Sequence, residues 1–419
     1  MRDQIEGSLA VANAVARCRP EVVSAYPISP QTHIVEGLGE RVKSGSLTRC
    51  EFINVESEFS AMSACIGASA AGARTYTATA SQGLLYMAEA LYNASGLGLP
   101  IVMTVANRAI GAPINIWNDH SDAMSQRDCG WIQLYAESNQ EAVDLHIQAF
   151  KLAEEISLPV MVCMDGFVLT HAVEPVDIPS QGDVDALLPP FEPRQVLDPE
   201  DPITIGAMVG PEAFAEVRYL AHAKQMQALD LVPEIAAEFS QAFGRSSGGL
   251  LHRYRSEDAD TIVVALGSVL GTIEEVVDEL REQGVRVGAV GIKCFRPYPL
   301  AEILDALAHA SQVVVVERAF AVGIGGIVGQ NVRLALSGLP VSVYDVVAGL
   351  GGRAITKRSL HRLLSDVLGR RLEPGRLIFL DLDWGLVERE LERVGETRRS
   401  GPHAENMLRD VGLVAGRPY

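Results

Sequence analysis

Residues 21–32 read EVVSAYPISPQT and contain the pattern that organises the first half of the chain. The β-branched run at residues 22–26 predicts a strand, and the two prolines after it predict a turn into a helix. Pro30 suits a first helical position, and Ser29 before it can cap that helix or offer its hydroxyl to a ligand. Because ligands of open parallel sheets bind at the carboxyl ends of strands, this turn is a candidate site.

The same alternation of short apolar runs and longer helical patterns continues to residue 165. Further strands are predicted at residues 52–55, 75–79, 101–105 and 160–164, and helices at residues 57–73 and 83–94. This βαβ order predicts an α/β fold whose parallel sheet is covered by helices on both faces.

A second α/β block follows a proline-rich stretch, residues 175–202, which carries seven prolines and predicts a linker or surface excursion. Residues 211–243 are predicted helical and residues 245–249 a loop. Strands are then predicted at residues 261–266, 285–290 and 313–316, with a helix at residues 272–283. We therefore expect a domain at residues 1–245 that includes the excursion, a domain at residues 255–365, and a tail at residues 366–419 that contacts another subunit.

The composition excludes several classes of protein. Of the 419 residues 48% are hydrophobic and 21% charged, with a net charge of −18, which excludes intrinsic disorder. The excess of acid argues against nucleic acid and anionic membranes, because both require clustered Lys and Arg. No apolar stretch reaches the roughly 20 residues of a membrane span, and Asp3 and Glu6 favour an N-terminal helix over a signal peptide. We expect a cytoplasmic protein.

The six cysteines stand at positions 18, 50, 65, 129, 163 and 294, too far apart for a CxxC run. Iron–sulfur or structural zinc ligation by cysteines of this chain is therefore not expected. A long chain with a large core does not need disulfides. We predict mostly buried thiols and no metal site on this chain.

Glu56 and Glu58 stand at the predicted start of a helix of small residues. Carboxylates in a first turn are usually favourable partners of the helix dipole. The small side chains of this helix also allow another subunit to approach closely, and a glutamate buried there would be a candidate proton-handling group. The residues alone leave both interpretations open.

Asn107 and Arg108 follow directly after another predicted strand, which puts the Arg108 guanidinium at the same edge of the sheet. An arginine there suits a carboxylate ligand, which it binds through two parallel hydrogen bonds. A structural salt bridge explains the arginine equally well.

Two further clusters are weaker. Residues 118–122 (NDHSD) have the composition of a metal site, but five consecutive residues in a loop favour a hydrogen-bonded loop instead. Residues 323–329 (GIGGIVG) follow a predicted strand, as a dinucleotide-binding fingerprint does. The third glycine of that fingerprint falls one place late, so the cluster is poor support for a nucleotide.

Several co-linear segments resemble one enzyme family. They are residues 26–32, 55–58 (VESE), 79–84 (TASQGL), 106–108 (ANR), 118–122, 127–131 (RDCGW), 295–299 (FRPYP) and 316–318 (VER). Together they resemble the α subunits of the 2-oxoacid:ferredoxin oxidoreductase family, most closely the pyruvate:ferredoxin oxidoreductases (pyruvate synthases). The resemblance covers residues 26–365, and several segments in the right order support it better than any one of them.

The resemblance implies a doubly wound, pyrimidine-type thiamine diphosphate-binding domain and a transketolase C-terminal-like α/β domain. Glu58 aligns with the family's glutamate that hydrogen-bonds N1′ of the aminopyrimidine, and Glu56 is the second choice for that role. Pro27 and Ile28 are implied to contact the cofactor. Thiamine diphosphate then serves as the electron sink for decarboxylation.

For the substrate, Ser29 aligns with a residue that contacts it, and Arg108 aligns with the residue that pairs its carboxylate. Asn107, next to Arg108, is also expected to bind the substrate. The implied reaction converts a 2-oxoacid and coenzyme A to acyl-CoA and CO2, reversibly in principle. Ser29 supplies no charge for a second carboxylate, which favours pyruvate. Branched-chain 2-oxoacids and 2-oxoglutarate stay open, as does the direction of the reaction in the cell.

The chain lacks the family's GDG-type segment for Mg²⁺ and diphosphate, and it lacks cysteine runs for clusters. The resemblance therefore implies a β subunit that brings the Mg²⁺–diphosphate site and a 4Fe–4S cluster, with further γ and δ subunits left open. It implies ferredoxin as electron acceptor and a dimer of heterodimers. This chain alone is expected to be inactive.

Two other functions stay open from the sequence. A transketolase-like, β-type subunit of an NAD-linked 2-oxoacid dehydrogenase complex would share the architecture but have no iron-containing partner. A non-catalytic nucleotide-binding protein with two α/β domains would draw only on the glycines at residues 323–329.

Overall fold

Two open sheets and a short antiparallel ribbon form the framework of the molecule. The computed structural model describes residues 3–396 and 401–412. The strands are β1 (Asp3–Glu6), β2 (Val22–Ala25), β3 (Glu51–Asn54), β4 (Thr75–Thr79), β5 (Ile101–Asn107), β6 (Ile132–Tyr135), β7 (Val160–Asp165), β8 (Val173–Val176), β9 (Leu251–Tyr254), β10 (Thr261–Ala265), β11 (Val287–Ile292), β12 (Cys294–Arg296), β13 (Gln312–Glu317), β14 (Ser342–Val347) and β15 (Leu377–Phe379).

The helices connect these strands and cover both sheets. They are α1 (Gly7–Arg17), α2 (Thr32–Lys43), α3 (Glu58–Ala70), α4 (Ser81–Tyr86), α5 (Ala88–Gly96), α6 (Ser121–Ser125), α7 (Asn139–Ile156), α8 (Gln181–Leu187), α9 (Phe214–Phe243), α10 (Val269–Glu282), α11 (Leu300–Leu307), α12 (Val328–Ala335), α13 (Lys357–Leu368), α14 (Trp384–Glu396) and α15 (His403–Asp410), with a 3₁₀ turn at Leu350–Gly352.

The first sheet has seven strands in the order β12-β6-β7-β5-β4-β2-β3, all parallel except β12. Every residue of β4 and β5 is buried, because helices α1, α2 and α7 pack on one face and helices α3 and α5 on the other. Burial on both faces explains why β5 is a nearly continuous apolar run, whereas β4 (TYTAT) buries three threonines. The predicted doubly wound α/β architecture is confirmed.

The second sheet has six strands in the order β15-β14-β13-β10-β11-β9, parallel except for β9. Helices α10 and α13 cover one face. The other face, with α11 and α12, shares one hydrophobic core with α3, α5 and β5 of the first sheet. The two sheets are therefore packed together through a continuous apolar interior.

The structure differs from the expected domain boundaries in two places. Strand β12 belongs to the second block by sequence, yet it pairs antiparallel with β6 of the first sheet, where Phe295 packs edge-on against Tyr135. The second sheet also continues past residue 365, because β15 pairs with β14. The domain division proposed from sequence therefore needs both adjustments.

In the tail, helices α14 and α15 pack on each other. The Glu390 carboxylate lies 2.7 Å from His403 Nδ1 and accepts a hydrogen bond from Asn406 Nδ2 at 3.0 Å. Contact with another subunit stays a prediction for this tail, and residues 397–400 and 413–419 lie outside the described residues.

Other expectations about local structure are met to different degrees. The N-terminal helix is α1, and all six cysteines are buried free thiols. The proline-rich stretch contains part of β8, which pairs with β1, and helix α8. The helix predicted at residues 83–94 is two helices, α4 and α5, that meet at Met87. Within the described residues, no helix combines the length and apolar composition that crossing a bilayer requires.

Candidate functional site

The sequence-predicted site residues lie along the carboxyl edge of the first sheet. From β2 the chain continues to β3, the neighbouring strand on one side of β2. From β4, the neighbour on the other side of β2, it continues to β5, which lies still further from β3. The strand order thus reverses between β2 and β4, and open α/β sheets bind ligands at such a point. Residues 26–31 follow β2, residues 80–83 follow β4, and Arg108 follows β5.

Glu58 is the first residue of α3 and is only 7% exposed. The preceding Ser57 caps the helix, because its side chain accepts a hydrogen bond from Ser60 N at 3.2 Å. A Cβ added to Gly83 would lie 2.7 Å from Glu58 Oε1, so a glycine at this position of α4 leaves room for the carboxylate.

Among the described residues, no side chain or backbone group hydrogen-bonds the Glu58 carboxylate. Neither carboxylate oxygen is fully enclosed, so a ligand can reach the group from the surface. The aminopyrimidine of thiamine diphosphate is such a ligand, because its N1′ can donate a hydrogen bond to a carboxylate when it carries a proton. The residues present therefore fit the cofactor that the sequence implied.

Glu56 lies in a different environment. It is exposed, and its carboxylate accepts a hydrogen bond from Ser60 Oγ at 2.5 Å. This hydrogen bond lowers the pKa of Glu56. The contact stabilises the start of α3, which is the role that carboxylates near a helix N-terminus commonly have.

Asp122 connects the ends of β4 and β5. It is fully buried, and it accepts hydrogen bonds from Asn107 Nδ2 (2.8 Å), Ser81 N (2.9 Å), Arg108 N (3.0 Å) and Ala123 N (2.7 Å). Burial raises the pKa of Asp122 to about 6, and these hydrogen bonds act in the opposite direction. The sequence placed Asp122 in a polar loop but did not reveal this organising role.

Arg108 is 6% exposed and is held by backbone carbonyls. Its Nη1 donates to Ser29 O at 2.9 Å and its Nε to Asn115 O at 3.2 Å. No carboxylate among the described residues forms an ion pair with this guanidinium, so the structural salt bridge considered from sequence is not present in the described part of the chain. Burial lowers the pKa of Arg108, and the nearby Asp122 opposes that shift.

Ser29 and Arg108 are thus brought together, but Ser29 does not cap a helix. Helix α2 begins at Thr32, after Gln31, and residues 29–31 form a turn. The predicted helix start at Pro30 is therefore wrong. The Gln31 side chain donates to Tyr26 O and Ala78 O, which holds the turn against β4.

The other predicted residues differ in exposure. Pro27 is exposed and Ile28 half-buried in the turn that also carries Ser29. Asn107 is completely buried, and its amide donates to Asp122. In the described part of the chain, no hydrogen bond joins Glu58 to Ser29 or Arg108. These residues are linked indirectly, through α4, whose Ser81 N binds Asp122 and whose Gly83 faces Glu58.

Residues 118–122 form the hydrogen-bonded loop that was expected. Asp119 accepts a hydrogen bond from Gly351 N at 2.9 Å, and His120 N donates to Arg318 O at 2.8 Å. His120 Nε2 lies 2.7 Å from Asp165 Oδ1. Because Gly351 and Arg318 belong to the second domain, this loop joins the two domains beside the site.

The backbone N–H groups at the end of the glycine cluster, residues 323–329, bind a side chain of the same chain. The Glu317 carboxylate accepts hydrogen bonds from Ile327 N (2.7 Å), Val328 N (2.8 Å) and Gly329 N (3.1 Å) at the start of α12. In a dinucleotide-binding domain these N–H groups face a phosphate. Here they are occupied by a side chain, which argues against the nucleotide-binding alternative. Burial raises the pKa of Glu317 to about 7, opposed by the three hydrogen bonds.

Two protein families match the chain. One, described as "Pyruvate flavodoxin/ferredoxin oxidoreductase, thiamine diP-bdg", matches residues 13–237, and the other, "Pyruvate:ferredoxin oxidoreductase core domain II", matches residues 259–360. The first region contains every strand of the first sheet except β12, and the second contains strands β10, β11, β13 and β14 of the second sheet.

Curated relatives are similar over most of their length. The pyruvate synthase subunit PorA of Methanosarcina barkeri is 49% identical over 86% of this chain and 91% of its own. PorA of Pyrococcus furiosus is 44% identical over 93% of this chain and 100% of its own. The ketoisovalerate oxidoreductase subunit VorA of Pyrococcus horikoshii is 39% identical over 92% of this chain and 98% of its own.

A solved structure shows the same fold. The 2-oxoglutarate:ferredoxin oxidoreductase from Magnetococcus marinus, with 2-oxoglutarate, coenzyme A and succinyl-CoA bound, superposes with a TM-score of 0.66 at 20% identity. The match covers 87% of this chain, and the chain spans 65% of that structure's chain.

Fold, site and comparisons together define the class, a thiamine diphosphate-binding α/β domain joined to the core domain II of a 2-oxoacid oxidoreductase. The chain is an oxidoreductase subunit. It belongs to the pyruvate:flavodoxin/ferredoxin oxidoreductase family.

Proposed function

We propose that this chain is the α subunit of a pyruvate:ferredoxin oxidoreductase, which converts pyruvate and coenzyme A to acetyl-CoA and CO2 and passes the electrons to ferredoxin. The observation that carries the proposal is Glu58, a largely buried residue near the point where the strand order reverses. Its carboxylate has no hydrogen-bond partner among the described residues. The names of the PorA relatives support pyruvate as the substrate.

Glu58 is proposed to accept a hydrogen bond from N1′ of the aminopyrimidine, and Pro27 and Ile28 to contact the cofactor from the turn after β2. When bound, thiamine diphosphate supplies the electron sink that decarboxylation of a 2-oxoacid requires. The contribution of this chain is to orient that ring. Gly83 keeps the space beside the Glu58 carboxylate open, and burial makes the charged hydrogen bond stronger than it would be in water.

Arg108 is proposed to bind the substrate carboxylate, with Ser29 beside it. Two of the N–H groups of the guanidinium are fixed by carbonyl oxygens, which orients the group and leaves the other donors for an anion. Asn107 is proposed to act through Asp122, because its buried amide donates to that carboxylate. Ser29 carries no charge, which suits a monocarboxylate such as pyruvate.

A partner subunit is proposed to complete the site next to Glu58. Large side chains are exposed around it, with Tyr26 at 39%, Phe59 at 37% and Tyr86 at 60%. The Phe59 and Tyr86 rings are in contact, with centroids 6.2 Å apart. Aromatic side chains grouped on a surface are typical of interfaces.

The partner is proposed to be a β subunit with the Mg²⁺–diphosphate site and a 4Fe–4S cluster, in a dimer of heterodimers. All six cysteines of this chain are buried as free thiols, which is unsuited to cluster ligation. Iron–sulfur clusters on the partner would therefore carry the electrons to ferredoxin.

Purification from the native source tests this function. We expect a brown complex of this chain with an iron–sulfur subunit, which reduces a viologen dye when given pyruvate and coenzyme A. Reduction of NAD by a colourless complex with a lipoyl-bearing core would instead support the dehydrogenase alternative. A preparation without an iron-containing partner would refute the proposal.

The Arg108→Gln variant should raise the apparent KM for pyruvate by about 10- to 100-fold, with a smaller change in kcat. A hydrogen bond to a charged group is worth roughly 1.5–3 kcal/mol, which corresponds to that range. Steady-state kinetics of the complex would measure the change, with Arg49→Gln on an exposed loop as a matched control. An unchanged KM together with a lower melting temperature would indicate a purely structural arginine.

A further inference from the structure

A second cluster of ionisable side chains lies on the first domain and includes neither Glu58 nor Arg108. Glu6, His33 and His171 each offer one ligand atom, and these atoms all lie within 4.8 Å of one another. His33 Nδ1 is 2.6 Å from Glu6 Oε1, and the two imidazole ring centroids are 5.2 Å apart. The three residues come from widely separated parts of the sequence, so only the fold brings them together.

The backbone fixes the positions of Glu6 and His171. Glu6 ends β1, and the next residues bind the segment around His171. Gly7 N donates to Ala172 O at 3.0 Å, and Ser8 N donates to Thr170 O at 2.9 Å. A Cβ at Gly7 would lie 2.1 Å from Leu169 O, so a glycine is required for this close approach. His33 stands in the first turn of α2, which packs on α1.

Two imidazoles and one carboxylate are a ligand set typical of zinc and similar divalent ions, whereas Mg²⁺ and Ca²⁺ prefer oxygen ligands. Thr170 Oγ1 lies 2.7 Å from His171 Nδ1. A contact of this kind to one ring nitrogen commonly orients a histidine whose other nitrogen binds a metal. We propose that Glu6, His33 and His171 form a binding site for Zn²⁺ or a chemically similar divalent cation.

The charges around the cluster favour a cation. Glu36 and Glu40 of α2 line the same groove as Glu6 and His33. Arg41 also lines this groove, but its guanidinium donates to Gly37 O and to the Asn13 side chain, which holds the positive charge along α2. Carboxylates near a metal site raise the local concentration of cations.

A row of contacting rings connects this cluster with the segment that follows Arg108. The centroids of Trp117 and Phe167 are 5.0 Å apart, and those of Phe167 and His171 are 4.8 Å apart. Trp117 O in turn accepts a hydrogen bond from Ala109 N at 3.0 Å. A cation bound by His171 would therefore stabilise the loop after β7, whose Phe167 contacts Trp117.

The test measures zinc in the assembled complex. The complex is dialysed against buffered micromolar free Zn²⁺, and zinc per chain is determined by mass spectrometry. We expect the His33→Asn and His171→Asn variants to hold about one zinc ion per chain fewer than the wild type. The His222→Asn variant, which changes an exposed histidine on α9, should keep the wild-type content.

Thermal unfolding provides a second readout. Zn²⁺ should raise the melting temperature of the wild type and of the His222→Asn variant, because a cation that binds only the folded state stabilises it. It should leave the two histidine variants unchanged. If either of those fails to assemble, Glu6→Gln carries the same test. Equal zinc content in the wild type and the cluster variants, or equal stabilisation by Zn²⁺, would overturn the proposal.

Discussion

Replacing Glu58 by glutamine is expected to lower the turnover of the complex by roughly 10²- to 10⁴-fold, the range for loss of a group that directs proton transfer. Glutamine has the size of glutamate, so it fits beside Gly83 without new contacts. The substitution removes only the negative charge, and with it the charged hydrogen bond that we propose between Glu58 and the aminopyrimidine. Steady-state viologen reduction with pyruvate and coenzyme A measures the loss.

The matched control is Glu56→Gln, two residues away. Glu56 is exposed and binds Ser60, so its replacement should cost little activity. Subunit assembly of both variants is followed by size-exclusion chromatography. Wild-type turnover in Glu58→Gln together with a large loss in Glu56→Gln would assign the cofactor contact to Glu56. Full activity in both variants would show that neither glutamate makes this contact.

The strands and their order along the chain could be predicted from sequence where the strands are completely buried. The run at residues 75–79 is the whole of β4, and all of it is buried. Its sequence, TYTAT, consists mainly of β-branched and aromatic residues, which favour strands, so the run can be recognised although three of its five residues are threonine. Ser29 and Arg108 could be placed at the sheet edge for the same reason, since each follows such a strand.

The almost complete burial of helix α7 could not be predicted from an apolar run of sequence. Of its 18 residues 14 are buried, and these include Asp144 and His146. The Arg245 guanidinium binds Asp144, and His146 lies between Ala142 O and Thr104 Oγ1. Because distant residues satisfy these buried polar groups, the burial of Asp144 and His146 depends on contacts across the fold and has no local sequence pattern.

The same reasoning applies within the site. Residue type and local position do not separate Glu56 from Glu58, and only the family resemblance ranks Glu58 first. In the structure Glu58 is buried beside Gly83 of another helix, whereas Glu56 is exposed. Asp122 organises the site through N–H groups from two strand ends. Long-range contacts of this kind have no local sequence pattern, so they become visible only in the folded chain.

Asp165 is the clearest example, because its partners come from both domains. It ends β7 and is 1% exposed. Its Oδ1 lies 2.7 Å from His120 Nε2, and its Oδ2 accepts hydrogen bonds from Arg318 Nη1 and Ser268 N, both at 3.0 Å. Burial alone would raise the pKa of Asp165, but Arg318, His120 and Ser268 outweigh it and hold the pKa well below its usual range.

Asp165→Asn is therefore expected to destabilise the chain by about 3–5 kcal/mol at pH 7, because it leaves the Arg318 guanidinium buried without its carboxylate. For a chain of 419 residues that unfolds as one unit, the melting temperature should fall by roughly 3–6 °C. Asp201→Asn, at an exposed position, is the matched control and should melt like the wild type.

The pH dependence of that difference identifies its cause. The pKa of Asp165 is lower in the folded than in the unfolded chain, so its stabilisation is complete above the unfolded pKa of about 3.9 and declines as the pH falls below it. The difference in melting temperature between the wild type and Asp165→Asn, measured from pH 7 down to pH 3, should therefore stay constant above about pH 5 and become smaller below about pH 4. A difference that stays constant over this range would assign the effect to packing, and equal melting temperatures at pH 7 would show that the ion pair between the domains contributes nothing to stability.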